Sequence, residues 1–268
     1  MVTAEKSRID CRHIDVLDGI RAVSVIIVLI FHFWQQTWIF PVIKTPCLAS
    51  VGITKIDFSN FATVGYLFVD MMVLISGFLL FLPLMRSIIL GEEMSSWKNY
   101  ARRRIARIVP SYYFAVLLLF FASALPTGAY ATTADALKDL FAHLTFTQTL
   151  WVNTYIATPL DVVLWTVAIE VWFYVLFPFV AEFIKGPRNK NRQSFTPAYG
   201  IFFIFAVFNI INYVYIENFV LKGNVYLAMR INQFPAFLGV YSIGMLGASA
   251  FVLIAKNCTR SRIFKAVT

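Results

Sequence analysis

Six long apolar runs, near residues 17–39, 62–85, 108–126, 160–183, 197–217 and 232–256, constrain this chain more than anything else in it. Each is close to the ~20 residues a helix needs to cross the hydrocarbon core of a bilayer. In lipid the backbone has no water to bond to, so only helices and closed barrels can span it. A spanning strand alternates apolar and polar residues; these runs do not, which rejects a barrel. Composition agrees: 59% of the 268 residues are hydrophobic and the mean hydropathy is +0.72. That is too apolar for a soluble domain of this length and too long for a single anchor. The expected fold is all-α: a polytopic integral-membrane helical bundle of about six spans, with residues 1–268 forming one membrane-embedded domain. The first run lacks a small-residue cleavage site and carries His32, so it reads as a span and not as a leader.

The formal net charge is +9. In a soluble protein this would suggest nucleic acid; here its distribution points to membrane topology instead. The N-terminal segment holds Lys6, Arg8 and Arg12. The 86–107 connection holds six basic residues, the 184–196 connection four, and the tail four. The intervening connections hold Lys44, Lys55, Lys138, Lys222 and Arg230. Basic-rich and basic-poor connections therefore alternate strictly, which places both termini in the cytoplasm and supports the count of six. No nucleic-acid partner is expected. Around Ala136–Phe146, Leu137, Leu140, Phe141 and Leu144 share one helical face, which predicts an interfacial helix. Cys11, Cys47 and Cys258 have no CxxC spacing and read as incidental.

Against this background, ionisable residues inside the runs stand out, because they are costly in lipid and default to function. Arg21 and His32 lie eleven residues apart in the first run. On a helix that is about 1100°, three turns plus roughly 20°, so both share one face about 16 Å apart along the axis. With the direction set by charge, Arg21 is near the cytoplasm. His32 is about seven residues from the outer end, Asp70 about eight and Glu170 about ten. A histidine and two carboxylates at one level suggest proton handling. A neutral imidazole can take a proton from a hydroxyl, and a carboxylate, Asp70 or Glu170, can orient it. The bland alternative is polar glue between helices.

A second cluster, Ala101-Arg102-Arg103-Arg104-Ile105-Ala106-Arg107, places Arg103 and Arg107 on one face at the mouth of the third span. Arginine forks suit phosphate oxygens; the alternative is anchoring to anionic lipid. A phosphate site on the cytoplasmic face with a base deeper in the membrane suits a phosphorylated carrier threading inward, and the acyl-pantetheine arm of coenzyme A has about the right reach. Trp165 and Trp172 read as packing or belt residues beside Glu170. Ser76-Gly77 reads as a close helix contact. The cysteines, histidines and acids give no metal site, and the chain has no Gly-rich phosphate loop and no GxSxG elbow.

Taken together, these blocks resemble the membrane-bound acyltransferase-3 family. Leu17-Asp18-Gly19-Ile20-Arg21 through His32 is similar to its Arg-x10-His signature, and Val69-Asp70 through Ser76-Gly77-Phe78 to its second-helix block. Arg103-x3-Arg107 with Ile108-Val109-Pro110 resembles its arginine-rich third-helix entry. Leu164-Trp165 to Glu170, then Phe173-Tyr174 and Phe177-Pro178, resembles its Trp-Ser-Leu-x-x-Glu block. Arg230 to Phe234, Phe237 and Gly239 match a later block more weakly. The four ordered blocks fall within residues 14–180. Thr166 stands where the family usually has Ser, and Ala22 where it usually has Gly. The resemblance implies a cytoplasmic acyl-CoA donor, most simply acetyl-CoA, and an acceptor hydroxyl on a cell-surface carbohydrate or related molecule outside. It maps His32 to the catalytic histidine, and Arg21, Arg103 and Arg107 to donor-binding positions. It also implies residence in the plasma membrane, the inner or cytoplasmic membrane of a bacterium. The family usually has about ten spans, so six mark a short or C-terminally truncated member.

Two other functions compete. A proton-coupled transporter would use the same buried histidine and carboxylates, but it predicts internal repeats and broken midplane helices, which the sequence lacks. An inactive truncated family member would insert in the membrane and bind no coenzyme A.

Overall fold

A computed structural model describes residues 14–39, 42–160, 162–186, 197–222 and 226–258. Lys6, Arg8, Cys11, Arg12, Arg188, Lys190, Arg192, Arg260, Arg262 and Lys265, which entered the charge reading and the cysteine reading, lie outside the described residues. The chain is built from helices α1 (Asp15–Thr37), α2 (Ser59–Thr63), α3 (Leu67–Leu90), α4 (Trp97–Leu119), α5 (Thr133–Leu144), α6 (Val152–Tyr155), α7 (Trp165–Lys185), α8 (Pro197–Tyr215), α9 (Leu227–Ile231) and α10 (Leu238–Cys258). Strands β1 (Val42–Lys44) and β2 (Lys55–Asp57) form a small antiparallel ribbon, with Val42 opposite Asp57. Among the described residues, six helices are long and apolar enough to cross a membrane: Val16–Thr37, Leu67–Leu90, Trp97–Ala124, Trp165–Lys185, Pro197–Leu221 and Phe234–Asn257. The all-α expectation and the six spans hold, with the ribbon as an addition.

Several boundaries differ from those read by hydropathy, and the starts of the second and third spans each have a physical cause. The second span starts at Leu67, because the apolar residues before it form α2 and a turn. Gly65 in that turn packs so closely on α1 that a Cβ there would lie 2.5 Å from the Phe31 Cβ. The third span starts at Trp97, since arginine and lysine lower hydropathy but are good helix formers. Ser96 caps it, its hydroxyl accepting from the Asn99 N–H at 3.4 Å. The basic residues Lys98 to Arg107 are therefore a helical turn sequence and not a connection, which shrinks to residues 91–96.

The chain divides into two compact units, residues 1–75 with 254–268 and residues 76–253. In the first, α1 is an apolar run ended by Trp38 in the left-handed region, whose N–H reaches the Trp34 carbonyl at 2.7 Å. Ser24 and Ile27 are its buried residues; Val23, Ile26, Leu29 and Phe33 are exposed, as a lipid-facing helix allows. In the ribbon, Asp57 accepts from the Ser59 N–H at 2.8 Å and from its hydroxyl. These bonds hold the Asp57 carboxyl below the usual carboxylate range.

The second unit has the larger core. Phe173 on α7 stacks on Tyr241 of α10 at 3.8 Å between ring centroids, and Phe81 of α3 meets both Phe177 and Tyr241 edge-on. Ser76-Gly77 is the close contact its composition predicts: a Cβ on Gly77 would lie 2.5 Å from the Tyr241 carbonyl oxygen. A second cluster gathers Tyr112, Val116, Phe120 and Ala124 of the third span with Phe146, Leu160 and Ala168. Trp165 is buried against Phe237, and the exposed Trp172 donates to the Phe146 carbonyl at 3.2 Å.

Candidate active site

The first unit supplies the histidine. His32 lies five residues before the end of α1 and is half-buried. Its Nδ1 is 3.2 Å from Gln35 Oε1, one turn on. An amide oxygen can only accept, so this contact selects the tautomer with hydrogen on Nδ1 and leaves Nε2 bare. Phe31 packs edge-on beside the ring at 5.2 Å. Arg21, on the same helix, is half-buried. Asp70 stands in the first turn of α3, half-buried, closer to its helix end than the eight residues read from the sequence. Among the described residues, the hydrogen-bond partner of the His32 ring is Gln35 and not Asp70. Gln35 was missed by sequence reasoning, although its i+3 spacing from His32 was visible.

The second unit supplies an antiparallel polar seam between α4 and α7. Trp97, Tyr100 and Arg104 recur at three- and four-residue spacing on α4; Glu170, Tyr174 and Glu182 lie four and eight residues apart on α7. Trp97 Nε1 donates to Glu182 Oε1 at 3.0 Å, and the Tyr100 hydroxyl donates to the Tyr174 carbonyl at 3.1 Å. The Arg104 guanidinium lies 4.9 Å from the Tyr174 ring centroid and 5.6 Å from that of Tyr100, a cation–π distance. Tyr174 in turn donates its hydroxyl to Glu170, six residues into α7 where the sequence boundary implied ten. Arg103 and Arg107 are exposed. Arg104, half-buried and turned to α7, is the arginine that sequence reasoning passed over. The signal was its place on the aromatic stripe of Trp97 and Tyr100.

A third polar group holds the 130–160 region of this unit together. Asp139 and His143 are 2% and 1% exposed, while Leu137 and Phe141 of the same helix point outward. Asp139 Oδ2 accepts from Tyr130 at 2.8 Å and Thr158 at 2.7 Å. His143 Nδ1 lies 2.9 Å from the Asp139 carbonyl and 3.2 Å from its Oδ1. The Tyr112 hydroxyl donates to the His143 carbonyl at 3.1 Å. Burial, then the bond to Asp139, pushes the Tyr130 phenol well above its ordinary range. With its ring engaged and its side chain enclosed, His143 is structural, which leaves His32 as the accessible histidine among the described residues.

These features define a multi-pass helical membrane protein with ionisable groups set along its spans. The sequence profile of the acyltransferase domain, acyltransferase-3, matches residues 14–266; the chain belongs to that family. Among curated relatives, the O-acetyltransferase OatA of Staphylococcus aureus strains NCTC 8325 / PS 47 and COL is 27% identical over 201 residues, which is 69% of this chain and 28% of OatA. The chain thus spans less than a third of the length of these relatives. No solved structure matches it at a significant level.

Proposed function

We propose that this protein is an integral-membrane O-acyltransferase, acting as one domain over residues 1–268. It moves an acyl group, most simply acetyl, from cytoplasmic acyl-CoA to a hydroxyl of a cell-surface carbohydrate. The observation that carries this reading is the family match across residues 14–266. The name of the OatA relatives supports the acetyl group and oxygen as the acceptor atom. Excess basic charge on alternate connections supports cytoplasmic termini and residence in a bacterial cytoplasmic membrane.

In this mechanism His32 Nε2 takes the proton of the acceptor hydroxyl. The oxygen attacks the thioester carbonyl, a C–O bond forms, and the C–S bond breaks as the tetrahedral intermediate collapses. The imidazolium returns its proton to the leaving thiolate, giving ester and coenzyme A. Gln35 holds the tautomer that makes Nε2 the base. Arg21 stabilises developing negative charge or the donor, and Arg103 and Arg107 meet donor phosphates. Asp70 and Glu170 remain the carboxylates assigned to proton handling. The test compares surface glycans by mass spectrometry with and without the gene, then with His32→Ala. Loss of one acyl mass in both strains is expected; wild-type O-acylation by a stably inserted His32→Ala protein would falsify the mechanism.

A further inference from the structure

Within the first unit, the β1–β2 connection is an ordered ribbon whose side chains are almost all exposed. Val42 stands opposite Asp57, Ile43 opposite Ile56, and Lys44 opposite Lys55. Side chains alternate between the two faces of a strand. Ile43 and Ile56 therefore make one face, and the lysines, Asp57 and Val42 the other. All six residues are exposed, Ile43 at 56%. The turn beyond them, Pro46–Val51, has no buried residue, and its Leu48 and Val51 are exposed too. The backbone is nevertheless tied: the Thr45 N–H donates to the Thr54 carbonyl at 3.0 Å, and its hydroxyl to the Ile53 carbonyl at 2.9 Å. A two-stranded ribbon without a packed face is marginal in water, so the isoleucine face needs a cover.

The bilayer is within reach. β1 begins five residues after α1 ends, and β2 ends two residues before α2 begins; a three-residue strand extends only about 10 Å. The ribbon therefore stays near the headgroup layer at the ends of the first two spans. Aromatic residues mark that layer. Trp38, 5.4 Å from Trp34 between ring centroids, and Tyr66, 6.1 Å from Phe31, are both exposed. Charge agrees. Like charges directly opposite on a ribbon repel, and among the described residues neither Lys44 nor Lys55 is in an ion pair. Asp57 shares their face, but its carboxylate accepts from the Ser59 N–H and hydroxyl, and one acid against two lysines leaves the face positive. A bridging phosphate relieves the repulsion. An apolar side against a cationic side is the division found in elements that lie in a membrane interface. We propose that the ribbon docks on the lipid of the membrane its own helices cross: Ile43 and Ile56 lie at the edge of the hydrocarbon, and Lys44 and Lys55 hold the phosphate of an anionic phospholipid between them. Helix α1, 11% buried over its most apolar stretch, gains from this contact an anchor at the end that carries His32.

The test places a nitroxide at Ile56→Cys in the full chain carrying Cys11→Ser, Cys47→Ser and Cys258→Ser, one copy per nanodisc of phosphatidylcholine and phosphatidylglycerol. A label at Glu93→Cys, exposed in the connection before α4, is the aqueous reference. Docking on lipid leaves the Ile56 label open to dissolved oxygen and shielded from a water-soluble nickel chelate. Chelate access equal to that of the reference puts the ribbon in water, shielding from both reagents puts it against protein, and shielding only in discs holding two copies puts it against a second chain; each overturns the docking. Ile43→Cys, on the same face, is the second label site if Ile56→Cys fails to insert. Lys44→Gln combined with Lys55→Gln should weaken phosphatidylglycerol binding, read by native mass spectrometry, about thirtyfold, roughly 2 kcal/mol, and leave phosphatidylcholine unchanged. Undiminished phosphatidylglycerol binding by the double variant overturns the lysine site. Displacement of the bound lipid by inorganic phosphate at equal concentration does so too, by assigning the pair to a free anion.

Discussion

The polar residues of α1 and those of the α4–α7 seam are the same kinds of group in different surroundings. On α1 only 11% of the most apolar stretch is buried, against 44% on α7. The His32 ring finds its partner one turn along its own helix, whereas Trp97 and Tyr100 bond across to a second helix. Groups that bridge helices hold the bundle together as well as offering chemistry. A histidine bound only to its own helix contributes little to assembly. The comparison separates residues whose loss should silence the protein from residues whose loss should loosen it.

The largest effect is expected of His32→Ala. Removing a general base costs on the order of 10²–10⁴ in rate, and acyl transfer in membranes should fall by that much while thermal unfolding in detergent is unchanged. Asp139→Ala should do the reverse. It strands the hydroxyls of Tyr130 and Thr158 and the ring of His143 in a buried site, at a cost of roughly 2–4 kcal/mol; an unaltered melting temperature would refute the structural role. Gly77→Ala sharpens the packing side: its new methyl meets the Tyr241 carbonyl, and overpacking of this kind costs roughly 1–3 kcal/mol, read by the same unfolding assay. Gln35→Ala removes one hydrogen bond worth about 0.5–1.5 kcal/mol, so transfer should slow by about three- to tenfold with stability preserved.

The smallest effect lies outside the spans. Asp57 has a lowered pKa in the folded ribbon, so its contribution to stability is present above the ordinary carboxylate range and is lost as pH falls through the lowered value. Hydrogen exchange at the Ser59 amide should rise on that acid limb, corrected for intrinsic rates, and Asp57→Asn should flatten the dependence.

The spans were legible because a membrane demands long apolar runs, and His32 and Arg21 because a charge in such a run is conspicuous. Which side of a helix meets a neighbour was not legible. Arg103 and Arg107 form an obvious pair on a helical wheel, but only the packing of Tyr100 and Tyr174 shows that Arg104 is the one facing inward. Helix α5 inverts the logic of soluble proteins: its Leu137 and Phe141 are exposed, and Asp139 and His143 turn in. Depth was misjudged for Asp70 because hydropathy cannot see the turn at Gly65.

The third span ends in a widened turn, Phe120–Ala124, where the Leu125 N–H bonds the Phe120 carbonyl and the Ala129 N–H the Ala124 carbonyl, five residues back in each case. Its buried residues Tyr112, Val116, Phe120 and Ala124 are four apart, and in an α-helix each such step overshoots the turn by about 40°. A π turn takes up roughly one extra residue and so resets the phase before the overshoot carries Ala124 out of the core. The segment works as a slip joint: a chain one residue shorter there can close into regular helix with both ends still facing their neighbours.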